Sequence, residues 1–120
     1  MKLIVSGIVL VLIDMMYLSM VSKKYGKMIK DIQGSEMKTR IKAAIVCYIL
    51  LILGLNYFIL NDANRNSNDA FILGLVIYGV FDSTNYALIK KWDKKMAIID
   101  TIWGGTLFYL STNITKYLIQ

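Results

Sequence analysis

The sequence contains no histidine, no proline and one cysteine. Without histidine, the chain cannot build His-ligated metal sites, Ser-His-Asp triads or imidazole proton shuttles. A lone cysteine rules out an intrachain disulfide and any CxxC metal or redox motif. The absence of proline removes the usual means of breaking a helix. Charge is also scarce, at 18% of residues, while apolar residues make up 57% of the 120. Soluble domains usually carry about 25% charged and about 45–50% apolar residues. With a mean hydropathy of +0.54, the chain is too apolar for water and reads as an integral membrane protein.

What is present is a set of long apolar runs. Helical rise of about 1.5 Å per residue makes about 20 residues enough to cross a hydrocarbon core of about 30 Å. Four segments qualify, at residues 3–21, 41–60, 70–89 and 96–119. The runs are continuous rather than alternating, and in lipid each segment must satisfy its own backbone hydrogen bonds, so helices are expected. The predicted fold is an all-α four-helix transmembrane bundle in one membrane domain, readable as two tandem helical hairpins. Residues 22–40 read as a basic loop, holding at most a short interfacial helix over 25–32 that Gly34 ends. The Met1-Lys2 start resembles a signal peptide, but there is no small-x-small cleavage site and Asp14 interrupts the apolar stretch, so cleavage is not expected.

Lysine and arginine positions set the expected orientation. Lys23, Lys24, Lys27, Lys30, Lys38, Arg40 and Lys42 cluster after the first span, and Lys90, Lys91, Lys94 and Lys95 after the third. Arg65 stands between Asp62 and Asp69 in the second connection. By the positive-inside rule, residues 22–40 and 90–95 face the cytoplasm and both termini lie outside. Tyr25 and Trp92 are then expected at the inner interface, and Tyr57, Phe71 and Tyr117 at the outer one. The net charge of +6 is thus explained by topology and anionic lipid, and a nucleic-acid partner is not expected.

Spans one and three resemble each other. Asp14 and Tyr17 match Asp82 and Tyr86, and Lys23-Lys24-Tyr25-Gly26-Lys27 matches Lys90-Lys91-Trp92-Asp93-Lys94. This would be a parallel internal repeat, although positive-inside pressure alone also yields Lys-Lys-aromatic ends.

The functional candidates are the polar residues within spans. An aspartate near the bilayer centre costs about 2.5–3.5 kcal/mol on insertion scales, against a gain of about 0.5 for a leucine. Asp14, Asp82 and Asp100 therefore need partners. Helical rise puts Asp14 about 16 Å and Asp82 about 18 Å below the outer edge. Asn85 lies deeper, level with Asp100. No lysine or arginine is at those depths, so at least one carboxyl is expected to carry a proton or accept hydrogen bonds from Thr84, Asn85, tyrosine or Trp103, and two carboxyls at one depth could share a proton. Tyr78, Asp82 and Asn85 share one helical face, as do Asp100, Trp103 and Gly104. The candidate ion- or ligand-binding set is Asp14, Tyr17, Tyr78, Asp82, Thr84, Asn85, Asp100 and Trp103, with no catalytic or metal-ligating residue. The plain alternative is that these groups are packing glue, worth about 0.6 kcal/mol per interhelical hydrogen bond and at most about 2. Gly79, Ser83 and Ala87 make a small-residue seam and Gly104-Gly105 a close-approach point. Cys47, beside Ala43 and Ala44, reads as core packing.

The stretch Tyr78-Gly79-Val80-Phe81-Asp82-Ser83-Thr84-Asn85, its exit at Trp92, and Asp100-Thr101-Ile102-Trp103-Gly104 resemble a family of short four-span proteins catalogued as domain of unknown function 2177. Asp14-x-x-Tyr17-Leu18 and Cys47-Tyr48 resemble its weaker N-terminal pattern; Tyr17 replaces a usual Trp, and Ser83 a usual Leu. The resemblance covers nearly the whole chain and implies a four-helix membrane bundle, with bacterial and giant-virus members, but supplies no activity. The leading expectation is a small transporter, channel or ligand-binding bundle. The alternative is a structural scaffold of a cellular or virion membrane. An intramembrane aspartyl protease would need a Gly-x-Gly-Asp signature that is missing, so an enzyme is not expected. Expected partners are the lipid bilayer and further copies of the chain; no cofactor is identified.

Overall fold

A computed structural model describes residues 1–120. The protein is all-α with four helices: α1 (Lys2–Gln33), α2 (Ile41–Leu55, continuing as a π-helical turn over Asn56–Leu60), α3 (Ser67–Leu88) and α4 (Lys94–Ile119). There are no strands.

Helix ends follow local chemistry. α1 stops where Gly34 takes the left-handed conformation (φ 75°) and donates its N–H to the Lys30 carbonyl at 2.8 Å, a geometry that suits glycine. Asn66 and Asp69 form a reciprocal capping box at the start of α3. Asp93 caps α4 by accepting from the Lys95 N–H at 3.0 Å.

The largest departure from the sequence reading is in residues 22–40. The basic segment through Gln33 is a continuation of α1, not a loop with a separate helix, and only about two turns' worth of chain remains to reach α2. The change from apolar to basic residues alters the preferred solvent, not the backbone preference: lysine and methionine are good helix formers and nothing in the stretch stops the helix before Gly34. By helical rise α1 is about 48 Å long, matching the 48 Å long dimension of the molecule. It therefore extends well past a hydrocarbon core, and its last turns pack on the α3–α4 connection. Met28, Trp92 and Ala97 form a small buried cluster there, and the Lys91 ammonium donates to the Asp31 carbonyl.

The molecule is apolar outside and partly polar inside. Only 24 of 120 residues are buried, too few for a water-soluble fold with this composition. Ile4, Leu12 and Val80 are each more than 60% exposed, whereas Ser6, Asp14, Asn56, Asp82, Ser111, Thr112 and Thr115 are buried. This distribution fits a lipid solvent, in which apolar side chains gain nothing by turning inward and polar ones do. α1, α2 with its π turn, and α3 are long and apolar enough to cross a membrane. α4 is less apolar because it is the innermost helix, with Ser111, Thr112 and Thr115 turned to the interior.

α3 and α4 form the tightest pair, α1 lies chiefly on α4, and α2 leans on α1, meeting α3 through its π turn. The α3–α4 approach is set by glycines. A β-carbon on Gly74 would overlap the Gly104 carbonyl, one on Gly104 would overlap the Tyr78 ring, and one on Gly105 would sit 2.8 Å from the Phe71 ring. Gly104-Gly105 is thus a close-approach point; of the expected Gly79, Ser83 and Ala87 seam, Gly79 faces α4, where a β-carbon would sit 3.3 Å from Thr101, while Ser83 and Ala87 are exposed and Gly74 makes the closer contact. Near the termini, the Asn56 amide donates to the Ser6 hydroxyl (2.9 Å) and to the Ile52 carbonyl (2.8 Å), tying α2 to α1. The Ser67 hydroxyl donates to the Asn113 side chain, linking α3 to α4.

Substituting Gly104→Ala or Gly74→Ala is expected to destabilise the bundle by about 1–3 kcal/mol through overpacking. Gly54→Ala, whose β-carbon meets nothing within 4 Å, is the control expected to be neutral. Unfolding of the three variants in detergent, followed by circular dichroism, checks this.

Candidate functional site

The three intramembrane aspartates fall into two settings. Asp14, buried on α1, has both oxygens occupied: Oδ2 accepts from the Tyr48 hydroxyl of α2 at 2.5 Å, and Oδ1 accepts from the Trp103 Nε1–H of α4 at 2.9 Å. One carboxyl thus joins three helices. One turn further along α1, the Tyr17 hydroxyl donates to Asp100 Oδ1 at 3.2 Å. The Tyr17 and Trp103 rings stack, with centroids 4.5 Å apart and planes within 6°. The two hydrogen-bonded carboxyls are therefore braced by one aromatic pair.

Asp82 is different. It is 2% exposed on α3 and its Oδ2 has no hydrogen-bond partner. It lies within hydrogen-bonding reach of Asp100 and of the Trp92 indole, but neither its Oδ2 nor the buried Trp92 N–H meets a partner with good geometry. Tyr25 and Phe81 meet Trp92 edge-on, each with centroids 6.0 Å away. No lysine or arginine pairs with any of the three carboxyls; the ion pairs are Lys30–Glu36 and Arg65 with Asp62 and Asp69, all outside the carboxyl cluster.

The depth-based pairing of the sequence reading is rearranged. Asp14 bonds to Tyr48 and Trp103 rather than meeting Asp82, and Asp82 neighbours Asp100 rather than leaving that place to Asn85. Rise per residue gives height but not azimuth, and the long tyrosine and tryptophan side chains reach between heights. Asp14, Tyr17, Asp100 and Trp103 come together directly. Tyr78 lies half-buried over Gly104. Thr84 is exposed, and Asn85 is half-buried with no side-chain hydrogen bond, so neither enters the network. Tyr86, the repeat partner of buried Tyr17, is exposed, so the two halves do not share equivalent environments. Tyr48 was not singled out as a partner from the sequence, although a phenol in the middle of an apolar helix needs one. Trp92, expected at the membrane interface, is buried against Met28 and Ala97.

Two crevices flank the cluster. A cleft of about 280 Å³ lies between α1, α2 and α3, and Asp14, Tyr17, Tyr48, Tyr78 and Asp100 contribute to its lining. On the other side, a crevice of about 390 Å³ between α3 and α4 reaches Asp82, Thr101 and Lys94.

The model of a family described as "Predicted membrane protein", domain of unknown function 2177, matches residues 1–117. No curated protein and no solved structure matches the chain.

Tyr48→Phe is expected to cost about 0.6–2 kcal/mol of bundle stability by removing one donor from Asp14. A double-mutant cycle with Asp14→Asn should show coupling between the two positions. Purely additive losses would mean that the hydrogen bond carries no stability.

Proposed function

We infer, for a chain that belongs to the family of predicted membrane proteins known as domain of unknown function 2177, that this small membrane protein is a transporter that moves protons or monovalent cations. The observation that carries the reading is a row of three buried or half-buried carboxyls, Asp14, Asp100 and Asp82, with no internal cation and a crevice on either side. Ionised carboxylates without a counter-charge are costly inside a bilayer. A carboxyl that lacks the neutral donor Asp14 has on each oxygen must hold a proton or a cation, and exchange between those states is what a coupled carrier uses. In this reading Asp14 and Asp82 are the ion or proton ligands. Asp100, beside Asp82, forms the inner polar gate, Trp103 and Tyr78 form the walls, and Tyr17 fixes Asp100; Thr84 and Asn85, outside the network, take no part.

The proposal includes the topology. All four helices cross, the termini and the 61–66 connection lie outside, and the basic ends of α1 and α3 lie in the cytoplasm. It also includes self-association, for which the exposed Ser83 and Ala87 offer a small-residue face.

One observation favours a second reading, a structural component of a cellular or viral membrane. Asp14 is hydrogen-bonded through both oxygens and joins three helices, which is also how packing glue is arranged. Asp82 lacks that saturation, and the transport reading rests on the difference.

Proteoliposomes assayed for proton and monovalent-cation flux separate the two. Wild type is expected to conduct and Asp82→Asn to lose flux while remaining folded. Absence of flux in both, with unchanged detergent stability, would establish the scaffold reading instead.

A further inference from the structure

The cleft between α1, α2 and α3 has a chemistry that selects its occupant. Its volume, about 280 Å³, is just below the range of small-molecule sites, about 300–1,000 Å³, and suits a small ligand. α3 meets the π turn but hardly touches α2 itself, and Leu18, Cys47 and Phe81 on the rim are exposed. The mouth therefore opens on the flank of the bundle, towards lipid, rather than at either end. The walls are mostly apolar, with Tyr17, Tyr48, Tyr78 and Phe81 supplying aromatic rings, and the polar groups on the inner side are the Asp14 and Asp100 carboxyls. Asp100 accepts a hydrogen bond from Tyr17 through Oδ1, and the Asp82 carboxyl lies close to it.

We propose that this cleft binds a lipophilic organic monocation, an ammonium group carried on a small apolar body, which enters sideways from the bilayer. The inference rests on the transport reading for its physiological purpose, but not for the binding itself. Carboxyls on one side and aromatic rings around the remainder suit a weakly hydrated cation, which gains from both the negative charge and the ring faces. A bare inorganic cation, which favours oxygen ligands on all sides, would gain less from the aromatic and apolar wall than an organic one. An anion would face like charge. A neutral apolar molecule or lipid tail would cover Asp100 without pairing it, at the desolvation cost of an unmatched polar group.

The test is equilibrium dialysis of radiolabelled benzyltrimethylammonium against the full chain in an uncharged detergent. Neopentylbenzene, which has the same shape with carbon in place of the charged nitrogen, serves as competitor. The expected result is saturable binding that neopentylbenzene does not displace, weakened about tenfold or more by Asp100→Asn and retained in Asp100→Glu. Cys47→Trp, at an exposed rim position, should block the cleft and abolish binding with helix content unchanged, which keeps the test decisive if Asp100→Asn fails to fold. No saturable binding to folded protein, equal displacement by neopentylbenzene, or unchanged binding in the Cys47→Trp variant would overturn the proposal. Binding is read without flux, so the two ideas fail separately. Saturable binding without transport would leave the site and remove the carrier, while proton flux without binding would do the reverse.

Discussion

The close approach of α3 and α4 at Gly74, Gly104 and Gly105 determines where everything else can sit. With no side chain on Gly74 and Gly104, the backbone of α4 comes against α3 and the Tyr78 side chain occupies the space beside Gly104. That contact fixes the rotation of α4 about its own axis. Asp100 and Trp103 stand four residues and one residue before Gly104, so they are carried towards α1, where Tyr17 and Asp14 meet them. Four residues after Gly104, Phe108 is turned wholly into the core with Leu107, Leu10 and Leu55. A larger residue at either glycine would move the helix that carries Asp100 and Trp103.

The solvent explains the remainder of the architecture. In water, the exposed leucines and isoleucines of α1 and α2 would drive further collapse or aggregation. In lipid they cost nothing, and cohesion has to come from close packing and interhelical hydrogen bonds. The protein uses both, at different levels of the bundle. Towards the termini, Asn56 and Ser6 join α2 to α1, and Ser67 with Asn113 joins α3 to α4. At mid-height, Asp14 joins three helices. At the basic end, packing of Met28, Trp92 and Ala97 holds the overhanging part of α1 against the α3–α4 connection.

The carboxyls divide into one that is fully satisfied and a neighbouring pair that is not. Asp14 receives a neutral donor on each oxygen, from residues whose aromatic bodies also fill space. Asp100 receives one, and Asp82 has an oxygen with none although it is almost completely buried. A group that serves only cohesion gains by finding well-aligned donors, and the Trp92 N–H and Asp100 lie within reach of Asp82 without good hydrogen-bond geometry. That looser fit distinguishes this end of the network from the saturated Asp14.

Composition and run length determine the class of molecule. The scarcity of charge, the apolar runs, the grouping of lysines at two places and the isolation of three aspartates among apolar residues all follow from what a bilayer tolerates. They made the membrane setting, the number of helices and the need for carboxyl partners legible without coordinates. Gly104-Gly105 could likewise be recognised as a contact point, because only small residues let helix backbones approach. The extent of α1 was not legible, since a change from apolar to basic side chains says where water begins but not where a helix ends. The choice of partners was not legible either. Tyr48 rather than Asp82 bonds to Asp14, Asp82 lies beside Asp100, and Thr84 turns outward, because each choice depends on the rotation of a helix about its axis. Periodicity along one helix shows which residues share a face. Only packing against the other helices decides what that face meets.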